Sequence, residues 1–179
     1  MSGIAFIDID GVVADNTKRF ALAEEAKKQY IRQHSEDEDV LRTATSEYWK
    51  VALNGEHVHL DTLIDGVPLY LTALEARGYI IIFLTSRPEH MREATEVWMN
   101  QHSLLHPLRR LDMKPAEAQF VKTIVWKIDR LLFLATTMLA DEVLFVDDEP
   151  PLRQELVDRA SEVPYSIKVC SSLEMACEE

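Results

Sequence analysis

The stretch that decides the fold is IAFIDIDG, from Ile4 to Gly11. Its first four residues form an uninterrupted apolar run, which is typical of a strand buried on both faces of a parallel sheet. The run leads into two carboxylates, Asp8 and Asp10, with one apolar residue between them. Side chains two positions apart in an extended segment point the same way, so both carboxyls can surround one centre once the chain turns at Gly11. We therefore predict a buried strand that carries a paired acidic site at its end.

The same pattern of an apolar strand followed by polar residues recurs twice further along the chain. The stretch from Tyr79 to Leu84 reads YIIIFL, and the stretch from Val143 to Val146 reads VLFV. The polar residues that follow the three strands are Asp8 and Asp10, then Thr85, Ser86 and Arg87, then Asp147 and Asp148. Because ligands of parallel α/β folds bind beyond the carboxyl ends of the strands, we expect these side chains to converge on one site.

The segments between the strands have helical spacing, which predicts an α/β fold with a parallel sheet covered on both faces. Residues 16–63 are charged and helically spaced, and no buried strand interrupts them. We therefore predict a helical insertion over 16–63, with residues 1–15 and 64–179 forming the core domain. Weaker signals predict a strand over 108–112 and one long helix from about 115 to 139.

Composition and charge limit the classes of partner. The formal net charge is −12, and apolar residues make up 47% of the chain, which is ordinary for a globular protein. Binding to duplex phosphates or anionic membranes needs clustered cations, so we expect neither, whereas a small phosphorylated substrate stays possible. The two cysteines, Cys170 and Cys177, make no disulfide framework, and the longest apolar stretch is too short to span a bilayer. We therefore predict a cytoplasmic protein and leave its oligomeric state open.

The chemistry of the predicted site follows from its carboxylates. Two like charges this close need a cation between them, or one of them must hold a proton. Oxygen ligands from Asp8, Asp10 and the later acidic pair suit Mg²⁺. A carboxylate can attack phosphorus once a metal screens its repulsion from phosphate, and a second carboxyl can transfer the protons. The hydroxyl and backbone N–H of Thr85 can bind the phosphoryl oxygens.

Four stretches together resemble the four motifs of the haloacid dehalogenase (HAD) superfamily. They are FIDIDGVVAD, FLTSRP, a lysine at a helix start, and LFVDDE. The resemblance implies a Rossmann-like core of three layers around a parallel sheet, with residues 16–63 as a small helical cap inserted after the first strand. It also implies a Mg²⁺-dependent phosphatase that forms an aspartyl-phosphate intermediate. In finer detail the motifs are similar to the phosphatase domains of polynucleotide kinase–phosphatases and to 5′(3′)-deoxyribonucleotidases.

The resemblance also implies roles for individual residues. Asp8 matches the nucleophile, and Asp10 matches the general acid/base, which also gives the metal its backbone carbonyl. Thr85 and Ser86 match the phosphoryl-binding motif. The implied metal ligands are Asp8, Asp10, Asp147 and Asp148, and which member of the last pair binds directly stays open.

The lysine and arginine assignments depend on the finer resemblance. The stretch FVKTIVWK offers Lys122 and Lys127, and its spacing is similar to polynucleotide kinase–phosphatases, where the first lysine is catalytic. This favours Lys122. Arg87 and Arg19 match two arginines of the same group, which implies that they bind the substrate phosphate.

Other features are interpreted in structural terms. The alternation around His57 and His59 is read as the edge of a strand or helix, and Trp49, Trp98 and Trp126 as core residues on helical patterns. A small cap suits small substrates, with a nucleoside monophosphate as the first expectation and sugar phosphates as the second. A phosphotransferase and a non-catalytic protein that binds phosphoesters stay as alternatives.

Overall fold

A parallel sheet of five strands lies at the centre of the fold, in a computed structural model that describes residues 3–34 and 37–178. The strands in chain order are β1 (Gly3–Ile7), β2 (Ala14–Asp15), β3 (Thr62–Leu63), β4 (Tyr79–Pro88), β5 (Arg109–Lys114), β6 (Glu142–Val146) and β7 (Ser166–Cys170). The order across the sheet is β5-β4-β1-β6-β7, so the strand containing the decisive stretch is central. The two short strands, β2 and β3, pair with each other in antiparallel fashion.

Strand β1 is buried over its whole length because it has a neighbour on each side and a layer of helices on each face. Ile7 is in register with Phe83 of β4 and with Val146 of β6. The apolar runs of the three strands therefore end level at one edge of the sheet, and β4 continues beyond that level to Pro88. This confirms the predicted parallel sheet, and it places the polar residues that follow the three strands next to one another.

The helices form a layer on each face of the sheet. In chain order they are α1 (Thr17–Gln33), α2 (Glu38–Ala52), α3 (Val67–Ala76), α4 (Arg92–Gln101), α5 (Thr123–Thr137), α6 (Pro150–Arg159) and α7 (Leu173–Cys177). Ala5 and Ile7 of β1 face a core shared with α3, α4 and α7, whereas Ile4 and Phe6 face a core shared with α5 and α6. The three layers confirm the predicted α/β architecture, which follows from the period-two alternation of strand side chains.

The predicted insertion contains the two helices α1 and α2, which pack against each other. The strand pair β2–β3 joins its two ends, with Ala14 opposite Leu63. A 3₁₀ turn over Gly55–Leu60 follows α2, packs against α4, and contributes Val58 to the core. The last part of the insertion thus belongs to the packing of the sheet's helical layer.

Some predicted elements have different bounds in the structure, and β4 continues to Pro88 beyond the expected Leu84. The long helix expected over 115–139 is a 3₁₀ turn at Ala116–Ala118 followed by α5 from Thr123 onward. The ammonium of Lys114 donates to the carbonyl oxygen of Val121 at 2.6 Å, which holds the intervening loop against the end of β5. Strand β5 is displaced toward the carboxyl end relative to the expected 108–112. Among the described helices, none is long and apolar enough to cross a membrane.

The side chains buried between the sheet and its two layers of helices should contribute most of the stability of the fold. We predict that Phe145→Ala lowers the free energy of unfolding by about 3–5 kcal/mol, because Phe145 is fully buried against α5 and α6 and its removal leaves a cavity. The same substitution at the exposed Phe120 should change it by only about 0.5 kcal/mol. Urea unfolding followed by circular dichroism measures both, and equal losses would contradict this assignment of the core.

Candidate active site

The polar residues at the carboxyl edge of the sheet surround a cavity of about 610 Å³. Its floor contains Asp8 and Asp10, and one side is formed by Ser86 and Arg87 near the end of β4. The opposite side contains Asp148 after β6. Residues of the insertion form the outer wall, so the cavity lies between the core and the helical pair α1–α2.

Three carboxylates form an acidic cluster at this edge of the sheet, and two of them, Asp8 and Asp148, line the cavity. Asp8, Asp147 and Asp148 each offer an oxygen atom within 4.8 Å of the other two. Burial raises the pKa of Asp8 to about 7, an effect that nearby Lys127 opposes and that the negative charge of Asp147 increases. Burial and the charge of Asp147 also raise the pKa of Asp148. Both shifts arise first from burial and then from the neighbouring negative charge, and a divalent cation with a preference for oxygen ligands fits such a cluster.

Lys127 is the cation that the chain itself supplies to the cluster. Its ammonium lies 2.6 Å from Oδ2 of Asp147 and 2.9 Å from Oδ2 of Asp8, and its side chain is almost fully buried. Burial alone would lower the pKa of Lys127, but the charges of Asp8 and Asp147 outweigh that effect and raise it above its ordinary value. The lysine is therefore positively charged and bridges the ends of β1 and β6.

The structure corrects the choice of Lys122 as the lysine of the site. Lys122 is exposed and precedes the first turn of α5, whereas Lys127 lies inside the helix on its buried face. At about 100° per residue, five positions turn a helical side chain roughly 140° away from the starting direction. Only one of the two lysines can therefore face the sheet edge, and that lysine is Lys127.

The two carboxylates after β6 have different surroundings. Asp147 is fully buried, and its Oδ1 accepts the backbone N–H of Glu149 at 2.9 Å while its Oδ2 accepts from Lys127. Asp148 lines the cavity and lies so close to Gly11 that a β-carbon there would clash with its carboxylate. Gly11 also has a φ of +81°, in the left-handed region that favours glycine. The backbone of the turn after β1 is thus in direct contact with the carboxylate of Asp148.

The carboxylate of Asp10 forms ion pairs with two buried arginines. Nε and Nη2 of Arg87 lie 2.9 Å and 2.6 Å from its two oxygens, and Nη2 of Arg19 lies 2.6 Å from Oδ1. Burial would raise the pKa of Asp10, but Arg87 and then Arg19 outweigh it and hold the pKa at about 2. The carboxylate of Asp10 is outside the cluster of Asp8, Asp147 and Asp148, so its expected contribution to a metal site rests on its backbone carbonyl.

Arg19 and Arg87 were expected to bind the substrate phosphate, and the structure gives them protein partners instead. Both line the cavity, yet their side chains are only 0% and 1% exposed. Every guanidinium nitrogen of Arg19 donates to Asp10, Asp61 or the carbonyl of Ala52. Those of Arg87 donate to Asp10, Asp61 and the hydroxyl of Thr95. The guanidinium groups of both arginines are therefore fully engaged by protein atoms.

Asp61 is a site residue that sequence reasoning missed. It is buried at the end of the insertion, with one oxygen 2.9 Å from Nε of Arg19 and the other 2.6 Å from Nη2 of Arg87. In the sequence it follows His57 and His59, and this local pattern does not distinguish it from a surface residue. Its partners are 42 and 26 positions away, so only folding brings the three side chains together.

Two neighbouring residues near the end of β4 differ in what their side chains face. Thr85 is fully buried, and its hydroxyl accepts the backbone N–H of Arg87 at 3.2 Å. Ser86 is the neighbour that lines the cavity. The second motif thus reaches the site as expected, with Ser86 rather than the Thr85 side chain toward the open space.

The outer wall contains aromatic residues whose exposure was not predicted. Trp49 of α2 is 50% exposed and lines the cavity together with Phe20 of α1. Its interpretation as a core residue is therefore wrong, while Trp98 and Trp126 are buried as predicted. Lys114, at the end of β5, also lines the cavity and adds a cation that sequence reasoning missed.

Comparison with known proteins identifies the fold. No protein-family profile and no curated protein sequence matches this chain. A predicted phosphoglycolate phosphatase from Haemophilus somnus superposes with a TM-score of 0.62 at 17% identity, over 93% of this chain and 83% of that one. A predicted phosphatase from Clostridium acetobutylicum gives 0.60 at 13% identity, over 99% and 96%. A HAD-superfamily hydrolase from Ehrlichia chaffeensis gives 0.56 at 12% identity, over 94% and 85%.

At sequence identities of 12% to 17%, the similarity to these structures shows a shared fold. The superpositions cover at least 93% of this chain, so they include its five-stranded parallel sheet and both helical layers. The protein therefore has the Rossmann-like α/β fold found in hydrolases of the HAD superfamily.

Proposed function

We propose that this protein is a Mg²⁺-dependent phosphomonoester hydrolase that acts through an aspartyl-phosphate on Asp8. The observation that carries the proposal is the cluster of Asp8, Asp147 and Asp148 around Lys127, at the end of the central strand and open to a cavity. Phosphatases occur among the proteins that share the fold, which is consistent with this chemistry. The motif resemblance to HAD phosphatases supports it independently.

Asp8 is the residue we assign as nucleophile. Its carboxylate oxygen forms a bond to phosphorus as the bond from phosphorus to the ester oxygen breaks, and the leaving alkoxide takes its proton from solvent water in the open cavity. Lys127 holds Asp8 in place through Oδ2 and offsets part of the negative charge that collects around the phosphoryl group. Mg²⁺ held by Asp8, Asp147, Asp148 and the backbone carbonyl of Asp10 would reduce the repulsion between carboxylate and phosphate.

Asp10 is assigned the proton transfers, and its surroundings favour one direction. With a pKa near 2 it is ionised at neutral pH, so it can take a proton from the water that attacks the aspartyl-phosphate. Donating a proton to the leaving oxygen requires its protonated form, which its two arginine partners oppose. We therefore propose that its main contribution is as a base in the second half of the reaction, which releases phosphate and regenerates Asp8.

The substrate we propose is a small phosphorylated metabolite such as a nucleotide. The cavity has room for one, and Trp49 and Phe20 offer an aromatic surface at its outer wall, opposite the acidic floor. A base can stack on such a surface, whereas a sugar phosphate, the second candidate, would use mainly the polar residues. The negative overall charge disfavours a polynucleotide. A reducing, cytoplasmic setting is consistent with cysteines that form no disulfide.

Two alternatives share the same site and differ in outcome. A phosphotransferase would pass the phosphoryl group from Asp8 to an added alcohol, and the yield of inorganic phosphate would then fall below that of the released leaving group. A non-catalytic protein would bind phosphoesters without releasing phosphate. A Mg²⁺-dependent screen of phosphorylated metabolites, including 5′- and 3′-nucleotides, with and without added alcohol, separates the three.

The first prediction concerns the nucleophile. Asp8→Asn should reduce the turnover of p-nitrophenyl phosphate at least about 10³-fold, because an amide cannot attack phosphorus, while the circular dichroism spectrum stays unchanged. EDTA should abolish the activity of the unaltered protein, and Mg²⁺ should restore it. Substantial activity in the Asp8→Asn variant would refute the proposed mechanism.

The second prediction distinguishes the two lysines. Lys127→Ala should lower kcat at least about 10²-fold, because it removes the only lysine placed between Asp8 and Asp147 in the described residues. Lys122→Ala should keep kcat within about twofold of the unaltered protein, because Lys122 is an exposed residue before α5. Steady-state hydrolysis of p-nitrophenyl phosphate measures both. An inactive Lys122→Ala beside an active Lys127→Ala would reverse the assignment.

The third prediction concerns the outer wall. Trp49→Ala should raise KM for a nucleoside monophosphate about tenfold, since stacking on an aromatic ring contributes about 1–3 kcal/mol, and should leave KM for glycerol phosphate nearly unchanged. Leu41→Ala is a matched control, because Leu41 is a similarly exposed residue of the same helix outside the cavity lining. Equal effects of Trp49→Ala on both substrates would argue against a stacking role.

A further inference from the structure

Four charged side chains form a buried group beside the proposed nucleophile. Asp10 and Asp61 each accept from both Arg19 and Arg87, so two carboxylates alternate with two guanidiniums in a closed ring. The side chains of Arg19, Arg87 and Asp61 are at most 1% exposed, and that of Asp10 is 23% exposed. We call these four residues the charge ring.

The charge ring joins segments that are far apart in the sequence. Asp10 follows β1 and Arg87 lies in β4, so both belong to the sheet edge. Arg19 lies in the first turn of α1, and Asp61 follows the last turn of the insertion. The two ends of the insertion therefore each contribute one charge, and each contacts the sheet edge through the ring.

Energetics favour a role for the ring beyond holding the fold together. Taking four charges out of water costs several kcal/mol per ion, and a well-packed apolar group of the same volume is often at least as stable. The ring has no net charge, and each arginine has every guanidinium nitrogen engaged. What an apolar group could not supply is a fixed orientation for the carboxylate of Asp10.

Asp61 is the member that determines this orientation without facing the cavity. Its Oδ1 holds Nε of Arg19 and its Oδ2 holds Nη2 of Arg87, and it is absent from the cavity lining. Its own backbone is held as well, because the indole N–H of Trp98 donates to its carbonyl oxygen at 3.0 Å. Asp61 therefore sets the position of both guanidiniums that contact Asp10.

We infer that Asp61 is a positioning residue for the reaction, because through Arg19 and Arg87 it fixes the orientation of the Asp10 carboxylate. It thereby also makes that orientation depend on how the insertion packs against the sheet edge. This inference rests on the proposed function, in which Asp10 transfers protons. Without Asp61, each guanidinium loses one of its two carboxylate partners and can turn about Asp10. A displacement of a reacting group by about 1 Å costs on the order of 10²-fold in rate.

The test begins with Asp61→Asn. We expect kcat for p-nitrophenyl phosphate to fall about 10- to 100-fold with KM changed less than about threefold, because Asp61 does not contact the cavity where the substrate binds. Asp65→Asn is the matched control, since Asp65 is an exposed residue four positions further along, and it should keep the unaltered kcat. A kcat within twofold of the unaltered protein in Asp61→Asn would overturn the inference.

A double-mutant cycle separates positioning from a merely structural role. If Asp61 acts through Asp10, adding Asp61→Asn to Asp10→Asn should lower kcat by less than about threefold. If Asp61 only stabilises the fold, its effect should be the same in both backgrounds, and that result would overturn the inference.

Two further measurements keep the test decisive if a single variant folds poorly or if no turnover is found. The Arg19→Gln/Asp61→Asn variant removes one charge of each sign and should fold, yet it should show the same low kcat; an unaltered kcat would overturn the inference. Protected ¹⁵N NMR signals of the two groups that donate to Asp61, Nε–H of Arg19 and Nη2–H of Arg87, should be lost from Asp61→Asn but not from Asp65→Asn. Their persistence in Asp61→Asn would overturn the inference even if the proposed hydrolase activity itself failed.

Discussion

The contact on which the rest of the site depends is the bridge from Lys127 to Asp8 and Asp147. Parallel strands bring the ends of β1 and β6 level, and this places acidic residues side by side in a buried position. Without positive charge between them, such carboxylates would repel each other or take up protons. One buried lysine offsets part of that repulsion, while burial keeps the pKa of Asp8 raised, and a divalent cation suits the cluster.

Two carboxylates only two residues apart have opposite electrostatic surroundings. Asp8 shares one lysine with Asp147, and its pKa is raised to about 7, whereas Asp10 pairs with two arginines and has a pKa of about 2. The difference arises because the side chain of Asp8 belongs to the acidic cluster and that of Asp10 belongs to the charge ring. In the proposed mechanism Asp8 is the nucleophile and Asp10 transfers protons, so the two carboxylates would act in different electrostatic surroundings.

The parts of the fold and of the candidate site that leave a local pattern in the sequence could be predicted, and the other parts could not. Buried strands show as apolar runs in the sequence. The parallel sheet could therefore be predicted, and so could the convergence of Asp8, Ser86 and Asp148 at one edge of it. The choice of Lys122 over Lys127 rested on a motif resemblance, and only the structure shows Lys127 on the buried face of α5 and Lys122 exposed before it. Trp49 fits a helical pattern equally well whether its side chain is buried or faces a cavity.

The sequence by itself determined the fold class and the position of the site, because the alternation of apolar strands with amphipathic helices is a local property of the chain. It also determined which acidic residues end the strands. Only the tertiary structure decided the partners of those residues. Arg19 and Asp61 meet at a separation of 42 positions, and Arg87 and Asp10 at 77. Ion pairs between such distant segments depend on how the insertion packs against the sheet, and this packing leaves no periodic pattern in the sequence.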